Sequence, residues 1–408
     1  MLNIVQDRCQ PLRYGKAECR LCVEACPIDG CLSFENTSID VKKELCSGCG
    51  ICTTVCPTGA LTLEGLDDAV LLGRLSDGLE KKNLFIGCHL GPGTENRDLP
   101  DPFSSESNFV NIPCLAVLKE SHLAALILSG VGRIGLDCSR CSSCAFRGAK
   151  GVIEKTARYA ENLLARAGLA GRIEILETTE VLPAGSKGGF GLFRKDKMKG
   201  VRKITHGPEY SRRELFSFLK SKAEALAAER ALGRHTEKEK LLENCAVPQR
   251  RSILLEALKA ADARELGPIK DGEFPIRQIG IGEKCVMCRR CDAFCPTGAL
   301  KRVQTEGEVS IEFRTALCMG CHQCMEFCPA GAIFYEEEID LGSLYSDEAK
   351  VIMRKQVVNC PGCSKPFIPE IEKDGCPECW KKKRLEDNIL SIIFSNPNKG
   401  KQTGKEAI

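Results

Sequence analysis

The chain reads as an α+β multidomain protein: two small cysteine-ligated modules flank a small parallel α/β domain, followed by a helical linker and a C-terminal knuckle. Three observations predict this. The 408 residues contain 27 cysteines grouped in blocks of fixed spacing. Strand-like and helix-like patterns alternate between the first and second groups of blocks. A stretch almost without cysteine separates that alternating region from the later blocks.

The clearest block is Cys285-x2-Cys288-x2-Cys291-x3-Cys295-Pro296, repeated as Cys318-x2-Cys321-x2-Cys324-x3-Cys328-Pro329. This is the ligand spacing of a bacterial ferredoxin with two 4Fe–4S clusters: three close thiolates wrap one cluster, and the fourth crosses to the other. By that rule Cys285, Cys288, Cys291 and Cys328 hold one cluster, and Cys318, Cys321, Cys324 and Cys295 the second. Leu300–Phe313 is expected to form a hairpin turning at Gly307. Amides of Gly298, Gly320 and Gly331 are expected to hydrogen-bond sulfur. The module is set at 279–345.

Residues 1–66 form a second, irregular module. Its later half is complete, Cys46-x2-Cys49-x2-Cys52-x3-Cys56-Pro57, but the earlier reads Cys19-x2-Cys22-x3-Cys26-Pro27, with Lys16 where a leading Cys belongs. Cross-ligation assigns Cys26 with Cys46, Cys49 and Cys52, and leaves Cys19, Cys22 and Cys56 short of one ligand. Cys9 is the favoured fourth, and Cys31 is the alternative. Cys31 occupies the place of Ala60 in the Cys-Pro-x-Gly-Ala-Leu turn, a packing position. A 3Fe–4S cluster without a fourth protein ligand stays open.

In residues 67–180, a helix over about 65–82 leads to a strand Leu84–Gly87 ending on Cys88. A strand Phe109–Pro113 ends on Cys114, a helix spans 115–129, and a strand Arg133–Asp137 ends on Cys138. Cys141 and Cys144 follow, then a helix over about 152–167 and a strand 172–177. Ligands of parallel sheets bind beyond the carboxyl ends of the strands, so Cys88, Cys114, Cys138, Cys141 and Cys144 are expected to build one metal site. The order Phe85-Ile-Gly-Cys88, Ile112-Pro-Cys114, helix and Cys cluster resembles the small delta iron–sulfur subunit of methyl-viologen-reducing hydrogenases, which work with heterodisulfide reductase. The resemblance covers about 100 residues and implies a further cluster of 2Fe–2S type on a subset of these five thiols. This chain has Cys88-His89 where that family has paired cysteines, and Cys138-x2-Cys141-x2-Cys144 where it has Gly-Cys-His and a second Cys. The triple could equally serve a 4Fe–4S cluster with Cys114 or Cys88.

Residues 181–278 read as a basic linker and helical hairpin. Nine basic residues stand against two acidic ones in 186–213. A capping box Ser211-Arg-Arg-Glu214 opens a helix to about 232, and a second helix spans about 248–263. Cys245 is expected to be a buried structural thiol. Residues 346–408 hold Cys360-x2-Cys363-x12-Cys376-x2-Cys379. This is a zinc-ribbon-like S4 site for one zinc, with iron as the alternative; a basic helix at 381–384 and a polar tail from Asn396 follow.

Net charge +3 singles out no acidic partner, and no apolar run is long enough for a span. Cysteine-rich without a secretory leader reads as metal binding in the cytoplasm. No flavin, nicotinamide or nucleic-acid motif and no catalytic constellation is evident. The expected cofactors are four 4Fe–4S clusters, one further cluster and one zinc, or about 18 iron and one zinc per chain. The expected role is an iron–sulfur electron-transfer subunit of an anaerobic oxidoreductase complex, with redox protein subunits, a ferredoxin or a flavoprotein as partners. A cluster scaffold or redox-sensing regulator is the alternative. Electrons are expected to hop from the N-terminal module through the α/β site to the C-terminal module.

Overall fold

A computed structural model of the chain describes residues 2–14, 18–35, 38–76, 83–88, 109–146, 148–177, 247–263, 266–345, 348–369 and 375–394. The expected helix at 211–232, the basic stretch 186–213, Cys245, His89 and the tail from Asn396 lie outside these residues.

In the N-terminal module, short strands Leu2–Ile4 and Leu61–Leu63 pair antiparallel, as do Leu32–Glu35 and Ser38–Val41. Helices Leu21–Glu24 and Ile51–Val55 each start inside a cysteine loop. The C-terminal module repeats this plan, with Ile279–Ile281 paired to Ile333–Tyr335 and a hairpin Leu300–Thr305/Glu308–Phe313 turning at Gly307, whose φ is +82°. Each regular Cys-x2-Cys-x2-Cys loop holds the residues flanking its middle cysteine in the left-handed region. These are Gly48 and Gly50, Met287 and Arg289, and Gly320 and His322. Two left-handed residues around one cysteine curl the chain so that three thiols face one point. Glycine takes that conformation freely, whereas a side chain pays roughly 1–2 kcal/mol for it.

The C-terminal module reaches beyond 279–345. Strand Lys350–Gln356 joins the hairpin as a third strand through Glu308–Phe313, with a register shift at Ile311/Glu312. Ile269–Lys270 pairs with Glu338–Ile339. The sequence pattern missed both pairings because a strand edge is completed by distant residues rather than by neighbours.

Between the modules in sequence lies a four-stranded, all-parallel sheet, in the order Phe109–Ile112, Asn83–Cys88, Arg133–Asp137, Ile173–Leu176. Its central strands carry Ile86 and Ile134 fully buried. Helices Glu120–Leu128 and Gly148–Arg166 pack on it, the first with almost every side chain buried and the second burying one stripe that includes Ile153, Ala157, Ala160 and Leu164. A short 3-10 turn, Leu115–Val117, stands where the expected helix would have begun.

The helix Gln249–Ala260, expected within a spacer, is a core element. Ile253, Leu254, Ala257 and Leu258 are buried, and so are Arg250 and Arg251. Leu254 and Leu258 join one apolar cluster with Ala124 and Leu163 of the α/β domain and Phe274, Ile276, Ile339 and Leu341 of the C-terminal side. Among the described residues, no helix is long and apolar enough to cross a membrane.

Candidate iron–sulfur and metal centres

Three cavities are each lined by a thiol quartet: Cys26, Cys46, Cys49 and Cys52; Cys295, Cys318, Cys321 and Cys324; and Cys285, Cys288, Cys291 and Cys328. In every quartet the cysteine before proline comes from the other half of the module. A Cys-Pro turn cannot continue a helix and throws its thiol across.

Cys9, Cys19, Cys22 and Cys56 form a fourth group. Burial pushes the Cys9 thiol up to about 11, and Cys56 and Cys19 act on it further. Burial likewise raises Cys22 to about 12, with Cys56, Cys9 and Cys19 adding to the effect. Cys9, just before the short helix Gln10–Tyr14, thus stands with the three thiols that the spacing leaves short of a ligand. Cys31 is elsewhere: its thiol is within hydrogen-bonding reach of Cys26 and Cys46.

The donor sets suit iron chemically. Burial raises Cys321, Cys291 and Cys114 each to about 12, so cations are needed to hold such buried sulfurs as thiolates. Backbone amides also aim at them. The amide two residues on donates to Cys19, Cys49, Cys114, Cys285, Cys318 and Cys321. Ala60 and Ala332 donate to Cys56 and Cys328, each at 3.3 Å. Amide donors stabilise negative charge on cluster sulfur and tune its potential. Of the three glycine amides expected in this role, Gly320 donates to Cys318.

At the carboxyl edge of the parallel sheet, Cys88 ends its strand, Cys114 follows Ile112, and Cys138 follows Asp137. Cys88 and Cys141 both act on Cys114, and the Cys138 and Cys141 thiols hydrogen-bond, with Cys88 close by. Cys144 turns its sulfur to the Phe146 amide at 3.4 Å.

In the knuckle, Cys360, Cys363, Cys376 and Cys379 place their sulfurs within 4.8 Å of one another, with Cys363 and Cys376 at 3.6 Å. A tetrahedral ion with sulfur at about 2.3 Å needs sulfurs about 3.8 Å apart, so one small ion fits. Amide donation, chiefly from Cys376, brings Cys360 down to about 6. The strands Val358–Asn359 and Pro366–Phe367 pair beside it, and the helix that follows runs over Pro377–Phe394, far longer than the expected 381–384.

The order of these sites in space differs from the expected hopping order. Cys114 is close enough to Cys49 for the two to interact. Thr54 donates to the Ala116 carbonyl at 2.6 Å, so the α/β site abuts the Cys26/46/49/52 site. Cys22 and Cys52 interact within the N-terminal module. Gln10, next to Cys9, donates to the Cys321 carbonyl at 3.0 Å, and the Glu18 amide to Glu326 at 3.2 Å. Cys291 and Cys324 interact within the C-terminal module. The N-terminal thiol sites therefore stand between the α/β site and the C-terminal sites.

Two buried arginines, not singled out by the sequence pattern, clamp this joint. Arg250 donates to the carbonyls of Thr54 and Pro57 at 3.2 and 3.1 Å, and Arg251 to those of Pro275 and Cys318 at 3.1 and 3.0 Å. Adjacent side chains of one helix thus hold a loop of each module. Beneath the joint, buried Lys119 pairs with Asp68, and His122 faces the same carboxylate at 3.6 Å.

Comparison with known proteins finds ferredoxin-type domains in both modules. Residues 284–332 match the 4Fe-4S dicluster domain, and residues 39–62 match a 4Fe-4S binding domain. An uncharacterized ferredoxin of Methanocaldococcus jannaschii is 41% identical over 49 residues, 12% of this chain and 77% of that protein. With thiol quartets, cross-ligation geometry and amide donors all of one kind, the chain belongs through these modules to the 4Fe–4S ferredoxins, and its role is iron–sulfur electron transfer between redox partners.

Proposed function

We propose that the chain is a relay subunit of a cytoplasmic anaerobic oxidoreductase complex of hydrogenase, formate dehydrogenase or heterodisulfide-reductase type. The observation that carries it is continuity: five thiol sites follow one another from Cys88 to Cys288, each linked to the next by an electrostatic interaction between sulfurs or by a hydrogen bond. An iron–sulfur cluster bound at each site supplies one-electron oxidation and reduction. The protein's part is to fix the order, keep water out and stabilise the charge. Arg250 and Arg251 lock the two modules, Leu2, Leu32 and Leu63 wall one site, and Ile279 and Leu300 wall its counterpart. Both ends are suited to partners: Cys288 is exposed beside Val286, Lys284 and Arg289, and the α/β site lies at a sheet edge.

The α/β site is assigned a 2Fe–2S cluster on Cys88, Cys114, Cys138 and Cys141, with Cys144 as the remaining candidate, and the knuckle one zinc. The partner class follows the resemblance of the Cys88–Cys144 region to hydrogenase delta subunits. Anaerobic purification of the full chain should yield about 18 iron and one zinc. Its visible absorption should bleach reversibly with a low-potential donor and recover on mixing with an oxidised ferredoxin or flavoprotein. Absorption that does not bleach, or transfer of whole clusters to an apo-ferredoxin, would overturn the relay.

A further inference from the structure

The cavity holding Cys26, Cys46, Cys49 and Cys52 has an internal counterpart. The turn Cys26-Pro-Ile-Asp-Gly-Cys31-Leu32 matches Cys295-Pro-Thr-Gly-Ala299-Leu300, and both cavities are lined by the same positions. Leu2 stands for Ile279, Leu32 for Leu300, and Leu63 for Tyr335. The difference in thiol number lies at one place, where Cys31 replaces Ala299. The equivalent residue is also alanine in the other two half-modules, Ala60 and Ala332. Ala60 and Ala332 aim their amides at the preceding cysteine sulfur. The Cys31 amide turns to the Ile28 carbonyl at 3.2 Å instead.

Cys31 is 2% exposed and lines this cavity. Its sulfur lies within hydrogen-bonding reach of those of Cys26 and Cys46, and its contact with the Lys42 carbonyl is long, at 4.0 Å. A thiol at a packing position ordinarily points into hydrocarbon; this one points at ligand sulfurs. Five thiols therefore surround a site where a cubane needs four.

We propose that Cys31 is a reserve ligand of this site, able to take over the iron held by Cys26. The inference rests on reading the site as a 4Fe–4S centre. Cys26 and Cys31 sit on one short turn, so the exchange needs no movement of the Cys46–Cys52 loop. The Cys31 thiol gives up its proton as its sulfur bonds to iron. The bond from Cys26 sulfur to the same iron breaks, and the Cys26 thiolate takes up the proton. No electron changes hands. The site lies next to Cys114 of the α/β domain, where loss of a ligand would interrupt the relay in its interior.

The test is iron content and EPR of the full chain, purified anaerobically, with alanine variants. Cys26→Ala should keep wild-type iron and show no 3Fe–4S signal. Cys26→Ala with Cys31→Ala should lose about one iron with growth of a 3Fe–4S signal, or about four with loss of the cluster. Equal loss in the single and double variants overturns the proposal. Cys49→Ala reports on the site itself, since it should lose a cluster even with Cys31 present. If Cys49→Ala removes nothing, the 4Fe–4S reading of the site falls and the reserve ligand with it. Cys31→Ala, which restores the residue of the three sister turns, gives a second readout. On exposure to oxygen it should form the 3Fe–4S species several-fold faster than wild type, and an unchanged rate counts against the proposal.

Discussion

The two ferredoxin modules of this chain share a plan and differ where they are joined. The C-terminal module is regular: both halves have full cysteine runs, and Phe294 and Phe327 occupy the same position in each half and stack at 4.3 Å. The N-terminal module has Val55 and Ala25 at those positions, draws Cys9 from outside the usual run, and adds Cys31. Its thiol sites are also the ones with neighbouring sites on both sides, the α/β site next to Cys49 and the Cys321 site next to Cys9. Irregularity and position go together: the sites inside the series draw a ligand from outside the usual run, while the module whose sites end the series keeps the plain repeat. The difference teaches that a cluster loop can lose its leading cysteine when a nearby segment, here held by Gln10 against Cys321, returns a thiol to the same point.

The largest effect should come from removing that returned thiol. Cys9→Ala is expected to cost the N-terminal module a cluster, about four iron per chain, or about one if a 3Fe–4S cluster survives. Cys285→Ala should do the same in the C-terminal module. Iron analysis showing a full complement in Cys9→Ala would break the equivalence of the two positions.

Next in size is the contact between the N-terminal module and the α/β domain. Gly48 and Gly50 both have positive φ, +70° and +77°. A Cβ on Gly50 would meet Val117 at 2.6 Å, and one on Gly48 would meet nothing within 4 Å. Gly48→Ala should cost roughly 1–2 kcal/mol from the backbone alone. Gly50→Ala should cost clearly more and weaken the seat of Cys49 against Cys114. Thermal unfolding followed by loss of cluster absorption would separate them; equal midpoints would mean that the Val117 contact carries no weight.

Arg251→Met tests the clamp. Burial lowers the Arg251 guanidinium to about 10, and removing it leaves the Pro275 and Cys318 carbonyls without this donor, at roughly 1–3 kcal/mol for each that stays dry. Loss of a positive charge beside Cys318 should also lower the reduction potential of the Cys318 site relative to that of the Cys285 site. Redox titration followed by EPR would read this, and unchanged potentials would confine Arg251 to a structural part.

The smallest effect is a pH dependence. Burial lowers His122 to about 4; its Nδ1 accepts from the Lys119 amide at 3.1 Å, so the folded protein keeps it neutral. The unfolded chain protonates a histidine near pH 6.5. Its contribution is therefore full above about 6.5 and is lost as pH falls toward about 4. The thermal midpoint should decline over that window in wild type and less steeply in His122→Gln. Parallel declines would assign the acid sensitivity to the clusters themselves.

Much of the site was legible because cluster ligation is written in short spacings. Cys285–Pro296 and Cys318–Pro329 declare their cross-ligation through local geometry, and the strand ends at Cys88, Cys114 and Cys138 follow from period and turn residues. The sequence favoured Cys9 over Cys31 without fixing the choice, because it depends on where the N-terminal segment packs. Nor was the placement of Arg250 and Arg251 legible: nothing in a helical pattern says that two adjacent arginines will lie between two modules. The third strand Lys350–Gln356 was hidden for the same reason, since its partner lies some forty residues away.

The sequence by itself determined the chemistry: thiol spacing sets which sulfurs can share a cluster, and that constraint acts over a few residues of backbone. Only the tertiary structure decided the order of the sites. Chain order would put the α/β site between the two modules, but contacts between remote surfaces, through Thr54 and Ala116, Gln10 and Cys321, and the Arg250–Arg251 pair, set the N-terminal thiol sites between the α/β site and the C-terminal ones. Electron transfer depends on distance through space, and that distance follows from packing rather than from position along the chain.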